Sequence, residues 1–296
     1  MSDRAAATPQ APADNPPATP PRPGTATLTT TDRVRRIAVV VAEVLCVLGT
    51  LVGVGVLGTR VEESSGGALA ATATLIAPAT PAFSIWSVIY LGLFAYAVWQ
   101  LPARHATRGR VRSTGWLAAA SMVLNAAWLL VTQQGWIWVS VVVILALAVV
   151  LGLLVVRLGA EPARSWPERI VLDWTFGLYL GWVAVATCAN VTAALVDSGV
   201  DLGAPGSQVA AVVVLAVAGG LGVVFARRLG ARWAIALAMA WGLAWIAVGR
   251  LTSEPSSVAT GIAAAAAAVV VLMAVWVTRR AQPHLTAAPA GSAAAR

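Results

Sequence analysis

Eight apolar runs, each long enough to cross a hydrocarbon core of about 30 Å as a helix, recur along this chain of 296 residues. They lie at about 37–58, 82–101, 115–132, 135–156, 170–195, 208–226, 232–248 and 258–278. No water reaches the interior of a bilayer to satisfy backbone N–H and C=O groups, so such a chain folds as a bundle of spanning helices. Composition agrees, with 59% hydrophobic and 11% charged residues where soluble domains carry about a quarter charged. The reading is an all-α membrane protein with eight transmembrane helices. The rival reading of the first run as a secretory signal fails on length, because signal cores span about 7–15 residues.

The charges test that count. With the N-terminus inside, 18 of the 20 arginines fall in inner segments, leaving only Arg60 and Arg250 outside. Glu62, Glu63, Asp197, Asp201 and Glu254 fall on the outer side. A miscounted helix would scramble this alternation, which follows the positive-inside rule. Both termini are therefore expected to be cytoplasmic, and the expected location is a bacterial inner membrane. The net charge of +8 suits an anionic membrane surface, and no nucleic acid is expected.

Residues 1–34 are rich in Pro, Ala and Thr, cannot bury enough surface to offset ordering, and read as a disordered cytoplasmic tail. Residues 281–296 read the same way. Glycines and a proline in 197–207 mark a boundary between a five-helix unit, 35–198, and a three-helix extension, 205–280. In the first span Gly49 and Gly53 form a GxxxG that permits close helix approach.

Catalytic signatures are absent: there is no GxSxG, no HExxH, no phosphate-cradling glycine loop and no Cys/His cluster at metal spacing. Cys46 and Cys188 lie within apolar runs and read as packed small hydrophobes. His105 and His284 both fall in segments expected to be cytoplasmic, so no imidazole is placed within the membrane to ligate a haem iron. Glu43 is the one carboxylate well inside a span. It is either functional or a neutral carboxyl hydrogen-bonded between helices. Asp173, near the inner end of the fifth span, is expected at the interface or paired with Arg169 one turn earlier.

Phe83, Trp86, Tyr90 and Phe94 fall within about 80° of arc on one helix face. Such a stripe is either helix packing or one wall of a pocket for a flat apolar ligand. Most of the 13 tryptophans lie near span ends, where aromatic belts form, and Trp86 is open to that explanation. Trp128, Trp182, Trp241 and Trp245 lie deeper. Asn125 accompanies Trp128, and Tyr179, Trp182 and Asn190 share a face of the fifth helix within about 80°. Asparagines at membrane depth need partners, and these two would either orient a ligand or pin helices together.

These residues resemble the tryptophan-rich sensory protein family (TspO/MBR), related to the translocator protein or peripheral benzodiazepine receptor. Trp86 and Tyr90 match its W-x-x-x-Y in the second helix. Leu124, Asn125 and Trp128 match L-N-x-x-W in the third. Tyr179, Leu180, Trp182 and Asn190 match Y-L-x-W and the following Asn in the fifth. The resemblance covers about 37–195, and the last three helices fall outside these motifs.

It implies a five-helix bundle with a pocket between the first, second and fifth helices, roofed by the first loop. The ligand implied is a porphyrin, a haem-related pigment or a sterol, with no cofactor required. Family members are described as sensors, as transport-associated proteins, and in some cases as promoting porphyrin breakdown. Candidate ligand residues are Phe83, Trp86, Tyr90, Asn125, Trp128, Tyr179, Trp182 and Asn190. Expected partners are the lipid bilayer, a hydrophobic small molecule and a second copy of the chain. The alternative is a small-solute transporter in which Glu43 is the coupling carboxylate.

Overall fold

The computed structural model describes residues 27–53 and 55–281, so most of the first tail and residues 282–296 lie outside it. Among the described residues eight long helices are present: α1 (Thr30–Gly53), α2 (Ile85–Trp99), α3 (Gly109–Gln133), α4 (Ile137–Gly159), α5 (Thr175–Asp197), α6 (Gly203–Arg228), α7 (Trp233–Thr252) and α8 (Val258–Arg280). With their lead-in turns, all eight are long and apolar enough to cross a membrane. No strand occurs among the described residues.

α1 begins before its apolar run because Thr29 and Asp32 cap it reciprocally. Thr29 N and Oγ1 donate to Asp32 Oδ2 at 3.1 and 2.9 Å, and Asp32 N donates to Thr29 Oγ1 at 3.2 Å. Such a pair satisfies amides that the first turn leaves open. The helix therefore takes in residues 30–34, which sequence alone assigns to the tail.

The helices pack in a lateral order of α1 on α3, α3 on α4, α4 on α5, α5 on α7, α7 on α8 and α8 on α6. α2 sits beside this row and touches α1 and α5 only lightly. One apolar core runs through both halves of the chain.

Glycines set the closest approaches. A Cβ at Gly49 would come within 3.0 Å of Ala126 Cα, and one at Gly53 within 2.5 Å of Leu129 Cδ2. The GxxxG of α1 thus seats it on α3. A second pair, Gly177 and Gly181, seats α5 on α7. A Cβ at Gly181 would overlap the Ile235 carbonyl oxygen, and one at Gly177 would stand 2.8 Å from Ala234 Cβ.

The connections assigned to one side by their arginines do meet at one end. Asp32 pairs with Arg35 at 2.9 Å and with Arg112 at 2.6 Å. Glu168 pairs with Arg108 at 2.5 Å and with Arg110 at 3.2 Å. Arg110 also reaches Asp173 at 2.8 Å, and Arg232 holds Asp173 from the other side. Asp173 is therefore not the partner of Arg169. Arg169 is exposed, whereas Arg110 is 2% exposed and needs carboxylates to offset the cost of burying its charge.

Gly181→Ala is expected to lower stability by about 1–3 kcal/mol through overpacking, read as a lower thermal midpoint in detergent. Gly152→Ala, on a helix face with nothing within 4 Å, is expected to be neutral or slightly stabilising.

Candidate ligand site

Pro81 lies in a 3₁₀ turn, Thr80–Ser84, that leads into α2 and carries Phe83. One helical turn later Trp86 becomes the centre of a ring cluster. It stacks on Tyr90 with centroids 5.1 Å apart and planes 15° apart. Its edge contacts are Tyr179 at 5.8 Å and Trp182 at 6.1 Å. Phe83 meets Trp182 edge-on at 5.8 Å. Pairs of this kind add about 0.5–1.5 kcal/mol each beyond their buried area.

Phe94 does not join them. It is 56% exposed, because each four-residue step from Trp86 to Tyr90 to Phe94 advances about 40° around the helix. Two steps carry the ring off the buried flank. Tyr96 takes the inward position instead, edge-on to Phe176 at 5.3 Å.

The rings fill the interface between α2 and α5, one side of the pocket that the resemblance places between the first, second and fifth helices. One void of about 50 Å³ remains beside Phe83, Trp128 and Trp182 under the loop, and another of about 20 Å³ lies between Trp86, Asn125 and Trp128. A half-open cavity of about 320 Å³ lies on the opposite flank of the same stripe. Phe83, Trp86 and Tyr90 form one wall, Thr50 and Gly53 of α1 and Leu129 of α3 face them, and Arg60 and Val61 close it from the loop. It therefore belongs to α1, α2 and α3, with Tyr179 and Trp182 of α5 bracing the aromatic wall from behind.

The two asparagines act as clamps. Asn190 Oδ1 accepts from Trp128 Nε1 at 2.8 Å, and Asn190 Nδ2 donates to Ser140 Oγ at 3.0 Å. One side chain thus joins α5 to α3 and α4. Asn125 Nδ2 donates to Tyr90 OH at 3.1 Å and contacts Cys46 Sγ at 3.5 Å, joining α3 to α2 and α1. Asn125 Oδ1 is buried with no donor. Glu43 is 5% exposed, and its Oε2 likewise has no donor.

The extension reaches over this site. Arg250 of α7 is 1% exposed and donates to Ala71 O at 2.8 Å and Thr74 O at 3.1 Å in the loop between α1 and α2. Ala79 N donates to Trp245 O at 3.2 Å, and Trp241 Nε1 to Ala82 O at 2.9 Å. α7 thereby holds the segment that leads into Phe83. Sequence reasoning missed Arg250, whose signal was its place among the two arginines outside the one-sided pattern.

A family model described as TSPO-like protein matches residues 37–276. The chain belongs to the TSPO-like family. The match runs from α1 into α8 and so includes the last three helices as well as the first five. No curated protein and no solved structure matched the chain. Family membership with eight candidate spans makes this a multi-pass membrane protein of the sensor and binding type.

Replacing Arg250 with Met removes two charge-assisted hydrogen bonds, each worth about 1.5–3 kcal/mol. Amide exchange in the loop at 71–82 is expected to rise by roughly tenfold or more, while exchange in α3 and α5 stays as in the parent.

Proposed function

We propose that the protein binds a flat apolar ligand, a porphyrin or related tetrapyrrole, in the cavity between α1 and α2. The observation that carries this reading is the aromatic wall itself. Phe83, Trp86 and Tyr90 line a cavity at the lower end of the roughly 300–1,000 Å³ typical of ligand pockets. The stacked Trp86 and Tyr90 rings suit a planar π-system. The half-open side admits a macrocycle whose edge extends beyond the enclosed volume.

The arginine distribution supports an orientation with both termini cytoplasmic, and the proposed location is a bacterial inner membrane. In that orientation the loop between α1 and α2 roofs the cavity on the outer side.

A second reading, small-solute transport, draws on Glu43, because a buried carboxyl oxygen without a donor inside a spanning helix is a group that transporters use for coupling. Proton-dependent flux in liposomes, lost in Glu43→Gln with the fold intact, would support it.

Titration of purified protein with protoporphyrin, followed by tryptophan quenching, tests the main reading. Trp86→Ala is expected to weaken binding by about tenfold. Saturable binding with unchanged affinity in a Trp86→Ala/Tyr90→Ala double variant would remove the proposed wall.

A further inference from the structure

A separate hollow of about 450 Å³ opens at the arginine-rich end, where the first five helices meet the last three. Four guanidinium groups line it, from Arg110, Arg169, Arg232 and Arg279, against two carboxylates, Glu161 and Asp173. Asp173 is already committed. Arg110 Nη2 donates to its two oxygens at 2.8 and 2.9 Å, and Arg232 takes Oδ1 as well. Arg169 and Arg279 make no ion pair among the described residues. Arg110, 2% exposed, keeps a buried Nε with no acceptor. Among the described residues, two unpaired guanidinium groups, Arg169 and Arg279, therefore face one unpaired carboxylate, Glu161, which leaves the hollow with net uncommitted positive charge.

Its depth narrows the ligand. Every lining element contributes a helix end or a connection, which sets the hollow at the level of lipid headgroups. Trp166, Trp174 and Trp233 lie on its rim, and tryptophan favours that interface. Exposed Ile170 and Val277 lie on the membrane side of Arg169 and Arg279 and offer apolar surface for acyl chains. Guanidinium groups bind phosphate oxygens in paired, planar geometry, and basic pockets between spanning helices suit anionic headgroups.

We propose that this basin binds the phosphate of an anionic phospholipid, with Arg169 and Arg279 as the principal contacts and Arg110 at its floor. The inference is independent of the porphyrin reading, since the two cavities share no residue.

The test uses the full chain in nanodiscs of phosphatidylcholine doped with phosphatidylglycerol, with retained lipid counted by native mass spectrometry. Wild type is expected to keep phosphatidylglycerol in preference to phosphatidylcholine. Arg169→Gln/Arg279→Gln is expected to lose that preference by on the order of tenfold. These side chains anchor no ion pair, so the fold should survive, and an unchanged thermal midpoint checks it. Arg227→Gln/Arg228→Gln removes equal charge from the same end outside the basin and should leave the preference intact. Equal losses in both double variants, or no loss in the first, would overturn the proposal. Displacement of the lipid by millimolar inorganic phosphate would overturn the lipid assignment and make the basin a site for free phosphate; no displacement supports the lipid.

Discussion

The contact between α5 and α7 governs the arrangement of both ends of the molecule. Lipid tails are as apolar as leucine, so helices in a bilayer do not associate to escape solvent. They associate where backbones can approach closely. Gly177 and Gly181 provide that approach by leaving room for Ala234 and the Ile235 carbonyl. Once α7 is seated, Arg232 just before it reaches Asp173, and its middle and last turns bring Trp241, Trp245 and Arg250 to the loop over α2. One close approach thus braces the arginine-rich end and the aromatic-walled cavity together.

Polar atoms inside the bundle serve the same end by another route. Asn190 uses both ends of its amide, on Trp128 and Ser140, and so fixes three helices that apolar packing alone would let slide. Asn125 does this for the helices around Tyr90. With α3, α4 and α5 locked, the aromatic wall of α2 has a rigid backing. The seam on its other side, toward α1, is where packing is loose enough to leave a cavity.

The number of helices, the gathering of arginine-rich connections at one end and the identity of the clustered residues were legible in the sequence, because length, charge and motif spacing are local properties. Trp86, Tyr90, Asn125, Trp128, Tyr179, Trp182 and Asn190 do gather in one region. What periodicity could not supply was the lateral order. A helical face is readable from spacing, but the neighbour it faces is not. Spacing therefore groups Phe94 with the wall and offers Arg169 as one possible partner of Asp173, while the lateral neighbours of each face come only from the packed bundle. Gly177 and Gly181 stand in plain view as a GxxxG, yet nothing local names α7 as their partner. Arg250 is harder still, because its acceptors are loop carbonyls that carry no sequence signature.

Under the proposed function, the loose seam between α1 and α2 has a consequence for how the cavity would fill. A site entered from the side of a spanning bundle draws on molecules already dissolved in the leaflet. Occupancy then tracks the amount of a compound that partitions into the membrane more closely than its amount in the surrounding water. Two pigments with equal intrinsic affinity would rank by lipophilicity, and a sparingly soluble one present at trace aqueous levels could still saturate the protein.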